Sequence, residues 1–176
     1  MSFTADRRTY EGGYLAAHRP ERQDAAAIIF TADGRYLMQL RDDKPGLRAP
    51  GHWGLFGGGV EAGETPREAL VRELEEELEF RASDAVWFAE TFVAVPQFNV
   101  EATHKVFFSL LIAPQDLGDM RQHEGAGMAL MTVEEILREP KVVPWDIDPL
   151  MMHARLPEVV PEAARAFQRE RDGGHD

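Results

Sequence analysis

The chain has 176 residues, no cysteine and a formal net charge of −12. These features exclude disulfides, thiolate metal sites and cysteine nucleophiles, and they disfavour broad electrostatic attraction to nucleic acid or an anionic membrane. Hydrophobic residues make up 44% and charged residues 28% of the chain, and neither a membrane span nor a signal peptide is recognisable. The composition therefore predicts one globular domain over 1–176, located in the cytoplasm.

The amino-terminal part predicts a polar arm followed by a hairpin. Residues 1–24 are polar and glycine-bearing, and we expect them to form a peripheral arm. The apolar stretches 25–30 and 36–41 predict two strands, because residues 32–35 between them carry an Asp-Gly turn sequence. Residues 42–52 contain two prolines and two glycines and predict a loop.

A helix is predicted shortly after three consecutive glycines at 57–59. Thr65 can cap its amino terminus, Pro66 suits the first helical position, and Glu68 completes a Thr-x-x-Glu capping box. At about 100° per residue, four apolar side chains fall on the face that should pack on the core. They are Leu70, Val71, Leu74 and Leu78.

The second half of the chain alternates predicted strands, loops and helices. The predicted strands, rich in aromatic and β-branched residues, are 85–95, 104–113 and the short 128–131. Loops are predicted over 96–103 and 115–127, and helices over 132–139, which opens with a capping box, and 161–172. We expect the core over 25–140 and a helical tail over 141–176. Strands on both sides of a central helix predict an α/β sandwich with a mixed sheet.

Three carboxylates of the central helix lie on a second stripe beside its apolar face. Glu73, Glu76 and Glu77 have the spacing i, i+3, i+4, at which like charges destabilise an isolated helix by about 0.2–0.5 kcal/mol per pair. A bound cation would relieve this repulsion, and oxygen ligands favour Mg²⁺, Mn²⁺ or Ca²⁺ over zinc. The alternative, typical of glutamate-rich helices, is a solvated face that aids solubility.

The spacing of the segment distinguishes these two interpretations. Gly58 is followed after five residues by Glu64, and after seven more by the run 72–77, Arg-Glu-Leu-Glu-Glu-Glu. This pattern resembles the signature of the Nudix hydrolase family, G-x5-E-x7-R-E-U-x-E-E-x-G-U, in which U is a bulky apolar residue. Phe80 supplies the last apolar position, and Glu79 stands where the signature has glycine.

The departure at Glu79 concerns the end of the helix. A glycine at this position adopts the left-handed conformation that closes a helix. Either Glu79 adopts that conformation at a cost of about 1 kcal/mol, or the helix continues toward Ser83. In both cases Glu79 points away from the stripe of Glu73, Glu76 and Glu77, so we expect the site to survive.

The resemblance implies a Nudix-type α/β/α sandwich and a metal-dependent hydrolase. Members of this family cleave a diphosphate linkage in a nucleoside diphosphate joined to a group X. The resemblance makes Glu73, Glu76 and Glu77 the ligands of Mg²⁺ or Mn²⁺, with the Gly58 carbonyl as a further ligand. The metal would neutralise diphosphate charge and activate water. Supporting roles fall to Arg72, which would orient a carboxylate, and to Glu64.

Other residues are candidates for contacts with substrate or for acid–base chemistry. Family members often recruit one more carboxylate from a later loop, for which Glu124 is the first candidate and Glu101 the second. The remaining candidates are the histidines His104 and His123, the loop cations Lys44 and Arg48, and the aromatic residues Trp53 and Phe56. For the two aromatic residues, core packing is favoured over stacking on a base.

The identity of X stays open between two alternatives. Pro96 lies sixteen residues beyond Phe80, and its loop resembles the substrate loop of the ADP-sugar-cleaving branch, which slightly favours nucleotide sugars. The stretch 124–137 is equally similar to members that cleave nucleoside triphosphates. The isomerase branch of the family needs a cysteine, which this chain lacks, and the charge disfavours RNA decapping.

A third alternative belongs to a different class of protein. A Nudix fold without catalysis can act as a ligand-binding or regulatory module, but such members tend to lose a ligand, whereas all three glutamates are present here. The family also commonly forms homodimers, so a homodimer is possible.

Overall fold

The computed structural model describes residues 20, 22–113 and 115–159. The predicted arm up to residue 19 and the predicted helix over 161–172 lie outside the described residues. Among the helices of the described part, none has the length and apolar character that a membrane span needs.

The described elements follow one another in an order that begins with strands and ends with helices. They are β1 (Arg22–Thr31), β2 (Tyr36–Leu40), β3 (Trp53–Gly54), β4 (Phe56–Gly59), α1 (Pro66–Leu78), β5 (Val86–Val95), a 3₁₀ turn (Pro96–Phe98), β6 (Val100–Ile112), α2 (Asp116–Asp119), β7 (Gly127–Met131), α3 (Val133–Arg138) and α4 (Pro144–Val159).

The strands form one mixed sheet, which confirms the predicted fold class. The strand order is β3-β2-β1-β6-β5, with β4 paired to β1 and β7 paired to β2. β1 and β6 are parallel over ten residue pairs, whereas the other pairings are antiparallel. Because β1 also pairs with β4, the glycines that precede α1 lie beside the middle of the sheet.

Helices cover both faces of the sheet. One core cluster includes Leu70, Leu74 and Leu78 of α1, all without exposed surface. The other includes Ile136 of α3 and Leu150 of α4. The predicted apolar face of α1 is thus confirmed except at its border, where Val71 is only half-buried. The result is an α/β/α sandwich.

Three regions differ from the sequence prediction by more than a residue or two. β1 begins at Arg22, inside the predicted arm, because its parallel pairing with β6 starts at Arg22 and Thr103. The predicted loop over 96–103 is a 3₁₀ turn followed by the start of β6, whose Val100 and Thr103 are buried. The predicted loop over 115–127 contains the short helix α2.

The end of α1 settles the alternatives for Glu79. The helix does not continue toward Ser83: Glu79 has φ 52° and ψ 30°, which is the left-handed conformation. Its amide donates to the carbonyl of Glu75 at 3.0 Å. At the other end of α1, the predicted capping box of Thr65 and Glu68 is confirmed.

Candidate active site

A cavity of about 240 Å³ lies where β1, β4, β6 and α1 meet the loop before β7 and the start of α4. Its wall combines charges of both signs. The acidic residues are Asp24, Glu73, Glu77, Glu124 and Asp146, and the basic residues are Arg22, Arg41, Arg48 and Lys105. An acidic protein thus concentrates four cations around a group of carboxylates.

Glu77 is the most buried of the three predicted metal ligands, with 4% of its surface exposed. The amide of Gly57 donates to its Oε2 at 3.1 Å, and Gln39 Nε2 lies 3.5 Å from its Oε1. Burial raises the pKa of Glu77 to about 7; the Gly57 amide opposes the rise, and the Glu124 and Glu73 carboxylates add to it. A positive charge at this place would relieve the cost of ionising Glu77.

Glu73 lies directly against Gly58. A Cβ atom at Gly58 would overlap the Glu73 carboxylate, so only glycine leaves room for this carboxylate where it stands. Burial also raises the pKa of Glu73, whereas its hydrogen bond from Arg72 lowers it. The cradle between β4 and α1 therefore holds the Glu73 carboxylate, whose oxygen atoms are the kind of donor that suits a hard divalent cation.

Arg72 holds this corner of the site together. Its guanidinium donates to Glu64 Oε1 at 2.9 Å, to Glu73 Oε1 at 2.8 Å and to the Gly59 carbonyl at 2.9 Å. The hydrogen bond from Arg72 is also the largest cause that lowers the pKa of Glu64. Arg72 thus joins Glu64, Glu73 and the backbone of β4, and the supporting roles of Arg72 and Glu64 stay a prediction.

Glu76 stands apart from the other two glutamates. Glu76 is rotated from Glu77 by about 100° around the helix axis. It faces solvent with 62% of its side chain exposed, and its Oε2 lies 3.4 Å from Arg72 Nη1. Within the described part of the chain, no three histidine, aspartate or glutamate side chains are grouped closely enough to hold a metal ion as they stand. The ligand set of Glu73, Glu76 and Glu77 therefore stays a prediction.

The cavity wall also contains a charged pair that the sequence pattern does not predict. Lys105 Nζ donates to Asp146 Oδ1 at 2.6 Å, and Asp146 Oδ2 accepts the amide of Leu55 at 3.0 Å. Both side chains are buried, and half-buried Trp145 lines the same wall. A lysine inside the apolar stretch of β6 was the available signal, but its partner on α4 is recognisable only in the folded chain.

Of the predicted substrate residues, Arg48 lines the cavity and Lys44 does not. Lys44 is 70% exposed and pairs with Asp42 at 2.7 Å. Trp53 lies in β3, where its amide and carbonyl hydrogen-bond to residues 141 and 143. Phe56 has no exposed surface and belongs to the core, so it offers nothing to a substrate.

Of the remaining candidate residues, one lines the cavity and both histidines lie elsewhere. Glu124 lines the cavity with Glu73 and Glu77, whereas the side chain of Glu101 lies outside the described part of the structure. His104 lies on another surface, with Nε2 2.7 Å from Glu90. His123 contacts Glu79 at the end of α1.

Comparison with known proteins gives a consistent result. The sequence model of a family described as "NUDIX domain" matches residues 20–152. The CTP pyrophosphohydrolase of Escherichia coli K12 is 32% identical over 129 residues, which are 70% of this chain and 85% of that protein. An RNA pyrophosphohydrolase of Gluconacetobacter diazotrophicus is 44% identical over 66 residues, which are 36% of this chain and only 40% of that protein.

Solved structures share the fold. The solution structure of the E. coli ORF135 protein has a TM-score of 0.65 at 29% identity, covering 85% of this chain and 99% of that one. A MutT NUDIX hydrolase from Burkholderia pseudomallei has a TM-score of 0.61 at 24% identity, covering 74% of this chain and 95% of that one.

Proposed function

Because this chain belongs to the Nudix family, we propose that it hydrolyses a phosphoric anhydride linkage of a nucleotide in the cavity described above. Its class of activity is that of a phosphoric anhydride hydrolase, the class to which its pyrophosphohydrolase relatives belong. The observation that carries the proposal is the burial of Glu77 beside Glu73 and Glu124, in a cavity whose wall also holds four cations.

The carboxylates suit a divalent cation, Mg²⁺ or Mn²⁺, held by Glu73, Glu76 and Glu77 with the Gly58 carbonyl. When bound, the cation supplies charge neutralisation on the phosphates and lowers the pKa of a bound water. The protein's own contribution is positional. Arg72 holds Glu73, and the Gly57 amide holds Glu77.

Glu124 is the candidate proton acceptor. It lines the same cavity as Glu73 and Glu77 but comes from the loop before β7 rather than from α1. A carboxylate on a separate element can take the proton of the attacking water without giving up a place among the metal ligands.

The cations of the cavity wall suit the phosphates of a nucleotide. An acidic protein needs a local group of positively charged side chains to bind an anion. The cavity wall supplies such a group with Arg22, Arg41, Arg48 and Lys105. Trp145 on the same wall replaces Trp53 and Phe56 as the candidate for stacking on a base, because it is half-buried and lines the cavity.

We favour a nucleoside triphosphate as substrate, because the names of two relatives indicate this class. The CTP pyrophosphohydrolase matches over most of both chains, and a nucleoside triphosphatase NudI of E. coli is 54% identical over 46 residues, 26% of this chain and 32% of that protein.

Two further substrate classes stay candidates, one because of a loop in the structure and one because of the name of a relative. Nucleotide sugars are favoured by the loop at Pro96, where the 3₁₀ turn places Phe98 against Trp145 at a ring distance of 5.8 Å. RNA is a candidate because the Gluconacetobacter relative is named an RNA pyrophosphohydrolase, against the expectation from the net charge.

Turnover of a substrate panel tests the proposal. The panel contains ribo- and deoxynucleoside triphosphates, nucleotide sugars and a 5′-triphosphate RNA, each with Mg²⁺ and with Mn²⁺. We expect one class to be hydrolysed and Glu76→Gln and Glu77→Gln to lose that activity, while Glu75→Gln on the same helix retains it. If nothing is hydrolysed, or if the first two variants match wild type, the assignment fails; binding without turnover would indicate the ligand-binding module instead.

The homodimer, the single domain over 1–176 and the cytoplasmic location are further proposals from the sequence. Light scattering after size exclusion measures the mass in solution, and limited proteolysis identifies any separable domain.

A further inference from the structure

The carboxyl end of α1 carries an unusual residue for its backbone conformation. Glu79 has φ 52°, in the left-handed region that glycine adopts without cost and a side chain disfavours. Glycine also stands at this place in the Nudix signature. Glutamate at this position therefore carries a backbone cost of about 1 kcal/mol that glycine would not carry.

The Glu79 side chain reaches the loop that follows α2. Its Oε1 accepts a hydrogen bond from His123 Nε2 at 2.5 Å. The backbone of the same loop caps the helix, because the His123 amide donates to the Glu77 carbonyl at 2.8 Å and the Arg121 amide to the Leu78 carbonyl at 2.9 Å. The last carbonyls of a helix lack partners within it, so the loop is fixed to the turn of α1 that carries Glu77.

The residue after His123 is Glu124, which lines the cavity. Its carbonyl accepts hydrogen bonds from Gln122 Nε2 at 2.8 Å and from Gln39 Nε2 at 3.2 Å. Gln39 is buried and its Nε2 also lies 3.5 Å from Glu77 Oε1. The loop is therefore held on the inner side by Gln39 and on the outer side by the contact between Glu79 and His123.

We propose that Glu79 and His123 are positioning residues that hold the Glu124 loop against α1, and so fix Glu124 relative to Glu77 in the reaction. The inference rests on the proposed function and adds to it two residues outside the cavity wall. Neither touches the substrate; both act through Glu124.

The contact has a signature that separates positioning from plain stabilisation. Both side chains are more than half exposed, at 53% and 57%, and exposed contacts between polar side chains contribute little to stability. Misplacing a reacting group by about 1 Å, in contrast, can cost up to a hundredfold in rate. The substitution Glu79→Gly removes the contact and also relieves the backbone, so it should lower the rate without lowering the melting temperature.

Steady-state kinetics and thermal unfolding of Glu79→Gly and His123→Ala test this proposal. We expect kcat to fall about five- to tenfold in each, KM to stay within about twofold, and the Tm of Glu79→Gly to be unchanged or raised by up to about 3 °C. The double variant should lose no more than the singles, and Glu79→Gln, which keeps an acceptor for His123, should recover most of kcat. Glu75→Gln is the matched control on the exposed face of α1.

Three outcomes would overturn the inference. An active wild type with an unchanged kcat in Glu79→Gly removes the positioning role and leaves the proposed function standing. Losses that multiply in the double variant show that the two residues act independently. A wild type that hydrolyses nothing in the panel overturns the proposed function, and this inference with it.

Discussion

Two adjacent glycines of β4 allow two different close approaches, one to the neighbouring strand β1 and one to α1. Gly57 has φ 128° and lies against the backbone of Ala25 and Ala26, whereas Gly58 lies against the carboxylate end of Glu73. The first neighbour is rigid backbone and the second is the tip of a side chain. The two adjacent glycines therefore have different uses, one for the fold and one for the site.

Alanine at these two positions should separate stability from activity. Gly57→Ala meets backbone atoms at a φ unfavourable to a side chain, and we expect it to lower the free energy of unfolding by about 3 kcal/mol or more. Gly58→Ala displaces only the Glu73 carboxylate, so we expect a loss below about 1 kcal/mol but a fall in kcat of about tenfold or more. Urea unfolding and kinetics of both variants check this; equal effects on stability would contradict it.

His153 is a buried histidine with two hydrogen-bond partners in the core. Its Nδ1 lies 3.1 Å from the Tyr36 hydroxyl and its Nε2 lies 2.8 Å from Ser109 Oγ. The rings of Phe30 and Phe88 pack against it at 4.6 and 5.0 Å. Burial lowers the pKa of His153 to about 4, so the folded protein keeps this imidazole neutral at physiological pH.

The lowered pKa of His153 makes stability depend on pH. Below about pH 6.5 the unfolded chain binds a proton at His153 that the folded chain does not. The free energy of unfolding should therefore fall as the pH drops from 6.5 toward 4. For the step from pH 7.5 to 5.0 we expect this residue to contribute a loss of about 2 kcal/mol.

Urea unfolding of wild type and His153→Phe at both pH values isolates this contribution. We expect the variant to be less stable at both pH values, since Tyr36 and Ser109 lose their partner. Its loss of stability between pH 7.5 and 5.0 should be smaller than that of wild type by about 2 kcal/mol. Equal losses would contradict the assignment.

Among the elements, α4 is fixed to the sheet by a buried ion pair. Lys105 of β6 and Asp146 of α4 are 2.6 Å apart, and Asp146 also accepts the amide of Leu55 between β3 and β4. One carboxylate thus joins three elements at the edge of the cavity. Removing it would leave the Lys105 ammonium buried without its partner.

Asp146→Ala should destabilise the protein by about 3–5 kcal/mol, the cost of breaking a buried pair from one side. The exposed pair of Lys44 and Asp42 supplies the control: Lys44→Ala should leave stability nearly unchanged, because exposed ion pairs contribute little. Chemical denaturation of both variants measures their free energies of unfolding. A loss below about 1 kcal/mol for Asp146→Ala would show that Lys105 reaches water or another partner.

The elements that the sequence predicts are those with local signals. The capping box of Thr65 and Glu68 marks the start of α1, and alternation or apolar runs mark β1, β2, β5 and most of β6. The two-residue β3 and the glycine-rich β4 have no such signal, because their pairing with β2 and β1 defines them.

The residues of the site also fall into those with a local sequence signal and those without one. Gly58, Glu64, Arg72, Glu73 and Glu77 lie within one segment of fixed spacing, so the sequence brings them together. Gln39, Lys105 and Asp146 come from three distant elements, and only the sheet order and the docking of α4 place them at the cavity.

At the scale of the whole molecule, a chain with a net charge of −12 gathers five carboxylates in one cavity, where burial raises the cost of ionising two of them. Asp24, Glu73, Glu77, Glu124 and Asp146 share one cavity, and the pKa values of Glu73 and Glu77 are raised there. A cation that binds the folded protein at this place would stabilise it by mass action.

Adding Mg²⁺ should therefore raise the Tm of the metal-free protein, and EDTA should reverse the change. At a concentration about 100 times Kd, a ligand stabilises the folded state by about 2.7 kcal/mol, which corresponds to several degrees in a chain of this size. The shift should be lost in Glu73→Gln and Glu77→Gln and kept in Glu75→Gln. Sodium chloride at matched ionic strength controls for screening; the same shift with sodium would contradict a specific site.

The proposed function requires the buried Glu77 carboxylate of α1 for metal-dependent hydrolysis of the anhydride. The most direct measurement is the ratio of kcat between Glu77→Gln and Glu75→Gln, with Mg²⁺ and the preferred nucleotide of the panel. The two substitutions remove the same charge from the same helix, one inside the cavity and one in solvent. We predict a loss of about a hundredfold or more for Glu77→Gln and less than about twofold for Glu75→Gln. Equal activity of the two variants would contradict the claim.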